Sequence, residues 1–309
     1  MNDEAERDRQ LPVGDEIFLD HIGHFVADRE QAAVALATAG FVATPASIQV
    51  NPDPDGGAPQ PTGTGNVTAM LSRGYIEVLF KTADTPLGRE FEASRARYPG
   101  IHLAAFAVAD AAAAHQRLAA SGFRVRPLVQ MQRPAPTEQG ADTAAFTIVR
   151  VEPDIMPEGR MQILTHRTEH TVWQPRWLTH PNTASGLLDL VIAVSDVGEA
   201  ERRFSSFTNR EGMPSAFGAT IRLDRGRLQL MRPDALTTLF PGLAIPALPF
   251  IAGYGLRVAS LSTAAGCLAR GGVRFTGGEG ALVVPFPAEL GLGLWLFVEQ
   301  PERLPWRQG

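Results

Sequence analysis

The 309 residues carry 28 Lys and Arg against 33 Asp and Glu, a formal charge of −5, with 44% apolar and 20% charged side chains. This is ordinary globular usage at a length suited to two domains or an array of repeats, so disorder is not expected, and the acidic balance argues against a nucleic-acid partner. Cys267 is the only cysteine, which excludes an intrachain disulfide and a thiolate metal cluster. The opening MNDEAERDRQ lacks the apolar core of a secretory signal, and no stretch approaches the roughly 20 apolar residues of a membrane helix. A cytoplasmic protein with no membrane partner is therefore expected.

In chain order, LDHIGHFVAD at 19–28 is a strand-like run ending in Asp, followed by the helical QAAVALATAG, which Gly40 stops. A Pro/Gly-rich loop leads to further strands that close on YIEVLF at 75–80. The order then restarts. IHLAAFAVAD at 101–110 is the strand ending in Asp, AAAAHQRLAASG the helix closed by Gly122, and TAAFTIVRV and RMQILTH the later strands. A third unit opens at 187 with LLDLVIAVSD and closes on RLQLM at 227–231, and a fourth runs from YGLRVASLS at 254 to GLGLWLFVEQ at 291–300. The pattern predicts an α+β protein of four βαβββ modules with curled mixed sheets. A lone module has an open sheet edge, so the modules pair, as residues 17–178 and 184–300. TVWQPRWLTHPNTAS at 171–185 has linker composition and places the boundary near residue 180.

These runs resemble the vicinal-oxygen-chelate superfamily, and in particular its glyoxalase-like members. The resemblance rests on LDHIGHFVAD, on GTGN at 63–66 followed by RGYIEVLF, and on WQPRWLTHPNTA. It implies that each module pair curls into a cup, with metal ligands on the first and last strand of each module. The matching positions are His21, Glu77, His102 and Gln162 in the first half, and approximately Asp189, Gln229, Gly255 and Trp295 in the second. Gly and Trp cannot replace imidazole or carboxylate ligands, so a metal belongs to the N-terminal half. The related two-domain extradiol dioxygenases keep theirs in the C-terminal half, which counts against transferring that activity.

Strand side chains alternate faces, so His21 shares a face with Gly23 and Phe25, Glu77 with Tyr75 and Leu79, and His102 with Ala104 and Phe106. Two imidazoles and a carboxylate on one face suit Fe, Mn, Ni or Zn, with Gln162 as a neutral fourth donor. A histidine in an apolar strand is ordinarily a packed, hydrogen-bonded residue. The repeat-equivalent register of two His and one Glu is what raises the metal reading here. The THRTEH cluster at 165–170 places His166 or Glu169 at the cup mouth as an acid or base, and Glu77 is an alternative base. Trp173 and Trp177 would line the entrance, unless they are plain packing. Arg73, Arg97 and Arg150 could anchor an acidic substrate, although surface ion pairing is the simpler role, and His24, His115 and His180 read as structural.

The leading expectation is a metal-dependent lyase or isomerase of glyoxalase type acting on a small molecule with vicinal oxygens. Extradiol-type Fe(II) ring cleavage and a metal-free small-molecule binding protein are the alternatives. The second half is expected to be a scaffold or lid, and a homodimer is compatible with the fold.

Overall fold

Four times along the chain, a strand ends at a residue whose side chain caps the next helix. Asp28 accepts from the backbone N–H groups of Glu30 and Gln31, Asp110 from Ala112 and Ala113, Asp196 from Glu199, and Ser260 from Thr263. Each cap satisfies helix donors that otherwise lack partners. Left-handed backbone follows the first two helices at Gly40 (φ 83) and Gly122 (φ 85), the residues that stop those helices. The recurrent Asp and Gly of the sequence pattern are thus the two ends of one repeated helix.

The structure is a computed structural model that describes residues 9–53, 55–278 and 280–307. The first module is β1 (Ile17–Phe25), α1 (Arg29–Thr38), β2 (Ser47–Asn51), β3 (Gln60–Met70) and β4 (Tyr75–Lys81), followed by α2 (Pro86–Arg97). The second is β5 (Gly100–Val108), α3 (Ala111–Ala120), β6 (Val129–Pro134), β7 (Thr143–Arg150) and β8 (Arg160–His166), followed by α4 (Glu169–Val172). The third holds β9 (Ala184–Ala193), α5 (Val197–Thr208), β10 (Gly212–Ser215), β11 (Gly218–Arg222) and β12 (Arg227–Met231), followed by α6 (Pro233–Leu239). The fourth holds β13 (Phe250–Val258), α7 (Leu261–Arg270), β14 (Thr276–Gly278), β15 (Ala281–Pro285) and β16 (Leu294–Val298).

The first two modules close into a barrel of order β1-β4-β3-β2-β6-β7-β8-β5. β1 and β5, the opening strands of the two modules, pair antiparallel, and each runs parallel to the last strand of its own module. The other seam is narrow, where β2 meets β6 at Val50 and Gln132. Modules three and four form an open eight-stranded sheet of order β10-β11-β12-β9-β13-β16-β15-β14.

The outer faces of both sheets and the helices share one buried cluster, in which Ile22, Ile76 and Phe106 of the first half join Leu190, Tyr254 and Phe297 of the second. A separate cluster fills the barrel with Phe25, Tyr75, Leu79, Phe146, Leu164 and Trp173. Trp173 is buried against His166 and Tyr75, at ring-centroid distances of 4.7 and 6.0 Å, so it plugs the barrel instead of lining an entrance. The second cup is filled by the chain's own C-terminal segment. Leu304 and Trp306 pack inside it, and Trp306 Nε1 donates to Asp189 Oδ2 at 2.6 Å. Asp189 also accepts from Gln229 Nε2 at 3.0 Å and pairs with Arg307. Among the described residues no helix is long and apolar enough to cross a membrane.

Candidate functional site

The site begins with an irregularity in β1. The pairing of β1 with β5 slips between Leu19 and His21, so Asp20 is an extra residue in the ladder. Such a bulge re-aims side chains that strict alternation would send to opposite faces. Asp20 and His21 consequently lie together, with His21 Nδ1 2.7 Å from Asp20 Oδ2. The other Asp20 oxygen meets His166 Nε2 at 3.0 Å. Burial by itself raises the Asp20 pKa, but the charge and hydrogen bond of His166, joined by those of His21, outweigh it and hold the carboxyl well below the usual carboxylate range. Asp20 was absent from the candidates drawn from sequence, because a period-two reading faces it away from His21.

The Asp20 carboxylate accepts the Nδ1 proton of His21, which leaves Nε2 directed into the barrel. Tyr75 stacks on the same ring at 4.3 Å, with an interplanar angle of 20°. Burial, followed by the nearby Asp20 and Glu77 charges, raises the Tyr75 phenol well above its ordinary pKa, so the ring acts as a wall. His21 Nε2 lies 3.5 Å from Glu77 Oε2. The other Glu77 oxygen accepts from Asn66 Nδ2 at 2.6 Å and Gln49 Nε2 at 3.1 Å, and Thr64 Oγ1 donates to Gln49 Oε1 at 2.6 Å. Asn66 closes the GTGN run, which gives that short motif a structural task.

Three guanidinium groups, those of Arg133, Arg150 and Arg160, line the same chamber as His21, Glu77 and Gln162. Arg150 Nε donates to Gln162 Oε1 at 3.4 Å, and Arg160 lies over the Phe25 ring at 5.2 Å. Burial lowers all three Arg pKa values, to about 9 for Arg150, where the like charge of Arg160 adds to it, and to about 10 for Arg160. Each remains cationic at neutral pH. The free volume among these groups is about 20 Å³, room for one water rather than for a metabolite.

The expected metal set only partly assembles. His21, Glu77 and Gln162 share the chamber, whereas His102 does not line it. β5 carries a second slip, between the pairs Gly23/Leu103 and His24/Ile101, and His102 is its extra residue. Its ring packs on Tyr98 at 4.2 Å and Phe25 at 5.5 Å, and Nε2 is 2.7 Å from Tyr98 O. Burial, with smaller contributions from Arg97 and Arg160, lowers its pKa to about 4. Among the described residues no group of three or more His, Cys, Asp or Glu side chains could hold a metal ion. The donors in the chamber are one imidazole, one carboxylate and neutral amides, facing three cations. This set does not fit a resident divalent metal.

The THRTEH cluster also divides. His166 is buried against Phe146 and Trp173 and reaches the chamber only through Asp20, while His170 is exposed beside Asp142. Of the arginines considered as anchors, Arg150 lines the chamber and Arg97 bonds the carbonyls of Pro157 and Pro249. His24 bonds Leu290 O at 3.0 Å and Tyr254 Oη at 2.9 Å, a structural role. His180 likewise bonds Met70 O at 2.7 Å.

A family model described as a glyoxalase-like domain matches residues 19–208. No curated protein sequence matches the chain. Among solved structures, a hypothetical protein from Staphylococcus aureus superposes with a TM-score of 0.63 at 10% identity, covering 91% of this chain and 98% of that one. A mutant of 4-hydroxymandelate synthase from Streptomyces coelicolor gives a TM-score of 0.57 at 15% identity, covering 92% of each chain. A fusion of a xylose isomerase-like TIM barrel with 4-hydroxyphenylpyruvate dioxygenase gives 0.57 at 12% identity, covering 94% of this chain and 50% of that one. At these identities the likeness is one of fold. Members of the wider vicinal-oxygen-chelate superfamily typically bind a divalent metal.

Proposed function

The chain belongs to the glyoxalase-like family of the vicinal-oxygen-chelate superfamily, and from that premise we propose that it is a proton-transferring isomerase or lyase acting on a small organic anion. The observation that carries the reading is the approach of His21 Nε2 to Glu77 Oε2, 3.5 Å apart in a chamber lined by three arginines. With one proton on the imidazole, held on Nδ1 by Asp20, a proton leaving a substrate carbon settles between these two atoms. The negative charge that develops on the adjacent carbonyl or carboxylate faces Arg133, Arg150 and Arg160, which are fixed before the reaction begins. Preorganised charge of this kind in a water-poor site is the largest single contribution in many enzymes. The proton then returns to a neighbouring carbon in an isomerase, or a leaving group departs in a lyase. No step requires a resident metal, because the guanidinium groups occupy the electrostatic role that a cation would fill.

The test is enzyme-dependent C–H exchange in D2O, followed by proton NMR over a panel of 2-oxo and 2-hydroxy acids. A positioned base contributes about 10²–10⁴-fold, so His21→Ala should lose at least 100-fold of the exchange rate. Exchange that survives in His21→Ala at the wild-type rate rejects the scheme. Elemental analysis of protein purified without chelator should find no stoichiometric metal that depends on His21. Such a metal, if found, restores the metal-dependent reading. Tight anion binding without exchange points to a sequestering protein of the same fold.

A further inference from the structure

The chamber around His21 is too small to contain a metabolite, yet two of its arginines have a second exposure. Arg150 and Arg160 also line an outer cleft with a free volume of about 460 Å³. That cleft is bounded by α2, by the β7–β8 connection and by the Leu248–Pro249 segment of the second half. Its walls include Ala93, Val151, Met156, Met161, Leu248 and Pro249. Leu248 is 41% exposed and presents its side chain to the cleft. Its segment is held in place by Arg97, whose guanidinium bonds the carbonyls of both Pro157 and Pro249. Toward the floor the character changes. Glu90 of α2 pairs with Arg126 at 2.8 Å, and its charge also acts on Arg150 and Arg160. An anion arriving through the cleft, past Glu152 and Asp154 on its rim, therefore meets two guanidinium groups that the cleft shares with the inner chamber, while the nearby Glu90 is engaged by Arg126.

We propose that the outer cleft is the second part of the substrate site, and that the substrate is an organic acid bearing an apolar arm of several carbons. The acid head meets the guanidinium groups of Arg150 and Arg160, which border both spaces, and the arm lies in the cleft against Ala93, Leu248 and Pro249. This rests on the anion reading of the inner chamber and adds what that reading lacks, a place for the remainder of the molecule. It also gives the second half a direct part in the site. Its own cup is filled by its tail, and it contributes one wall of the cleft through Leu248 and Pro249.

Each methylene moved from water into an apolar site is worth about fourfold in affinity. Isothermal titration of the full chain with pyruvate and with 2-oxooctanoate reads this directly, since the two differ only in an arm about five carbons long. The expected result is that 2-oxooctanoate binds at least about 30-fold more tightly. Leu248→Asp is expected to cut that ratio tenfold or more, because it places a carboxylate on the apolar wall. Arg160→Met is expected to weaken both acids. Equal affinity for the two acids in the wild-type protein overturns the arm site and leaves the inner anion site standing. Binding of neither acid overturns both. A preference for the long acid that is unchanged in Leu248→Asp places the arm elsewhere and overturns the assignment to this cleft.

Discussion

Asp20 accepts from two imidazoles at once, and its consequences are read most directly at that one residue. It fixes the His21 tautomer and is itself buried, so Asp20→Asn keeps the shape while offering an amide donor to one of the two rings. The expected loss of exchange activity is about 100-fold or more, with the fold retained by circular dichroism. A rate within twofold of wild type would show that the tautomer does not matter. The same carboxyl has a depressed pKa in the folded state, so its stabilising contribution is present above the ordinary carboxylate range and is lost as the pH falls below that range toward the folded-state pKa. Two buried histidines act at milder acidity. Burial lowers His24 and His102 from 6.5 to about 4, so the unfolded chain takes up protons first. Stability is therefore full above about pH 6.5 and declines toward pH 4, by on the order of 3 kcal/mol for each group. Urea unfolding across this range should show the decline, and His102→Phe should reduce its slope by less than half, because His24 and, in the same direction, the buried His180 still contribute. An unchanged slope would mean that His102 is not held neutral in the folded protein.

At the scale of elements, the sequence pattern was legible wherever a local device enforced it. The side-chain-capped helices, stopped by glycine after α1 and α3, made the modules readable, and RLQLM coincides with β12. RMQILTH likewise coincides with β8. The caps carry a prediction of their own. Asp110→Ala removes the side-chain acceptor for Ala112 and Ala113 and should cost about 1 kcal/mol in urea unfolding. A cost below a few tenths would mean that the helix is held by packing alone. The site was half legible. His21, Glu77 and Gln162 obey the period of two and meet, and a slip in the β1–β5 ladder brings Asp20 in, whereas His102 falls on the face of Ala104 and Phe106, which packs in the outer cluster. A bulge leaves no reliable mark in a single sequence, because it is set by pairing with a strand some 80 residues away. The cation-lined character of the chamber was legible only through Arg150, for a similar reason. Arg133 lies in a segment with no strong pattern, and only closure of the barrel through β2 and β6 places it beside Glu77.

At the scale of the molecule, the two sheets are tied by more than contact. Glu158 of the first half is 0% exposed and forms a two-pronged pair with Arg203 of α5, at 2.7 and 2.8 Å. His24 reaches Tyr254 and Leu290 across the same boundary, and one apolar cluster runs through both halves. A chain built this way should unfold as a unit despite its internal duplication, giving a single calorimetric endotherm. Breaking the pair exposes the coupling. Glu158→Ala leaves Arg203 with only Glu199 and should cost about 3 kcal/mol, the lower end of the range for a buried pair because that second partner remains. The tail is the complementary probe, since Trp306 fills the second cup and caps Asp189 far from the barrel interior. Trp306→Ala should cost about 3–5 kcal/mol through the cavity and the lost donor, and it should lower the single endotherm as a whole. If the trace instead splits, with the barrel melting at its original temperature, the shared core does not couple the halves. The wall that Leu248 lends to the outer cleft would then rest on local ties, the Arg97 bond to the Pro249 carbonyl and the Tyr98 contacts with Phe250 and Ile251.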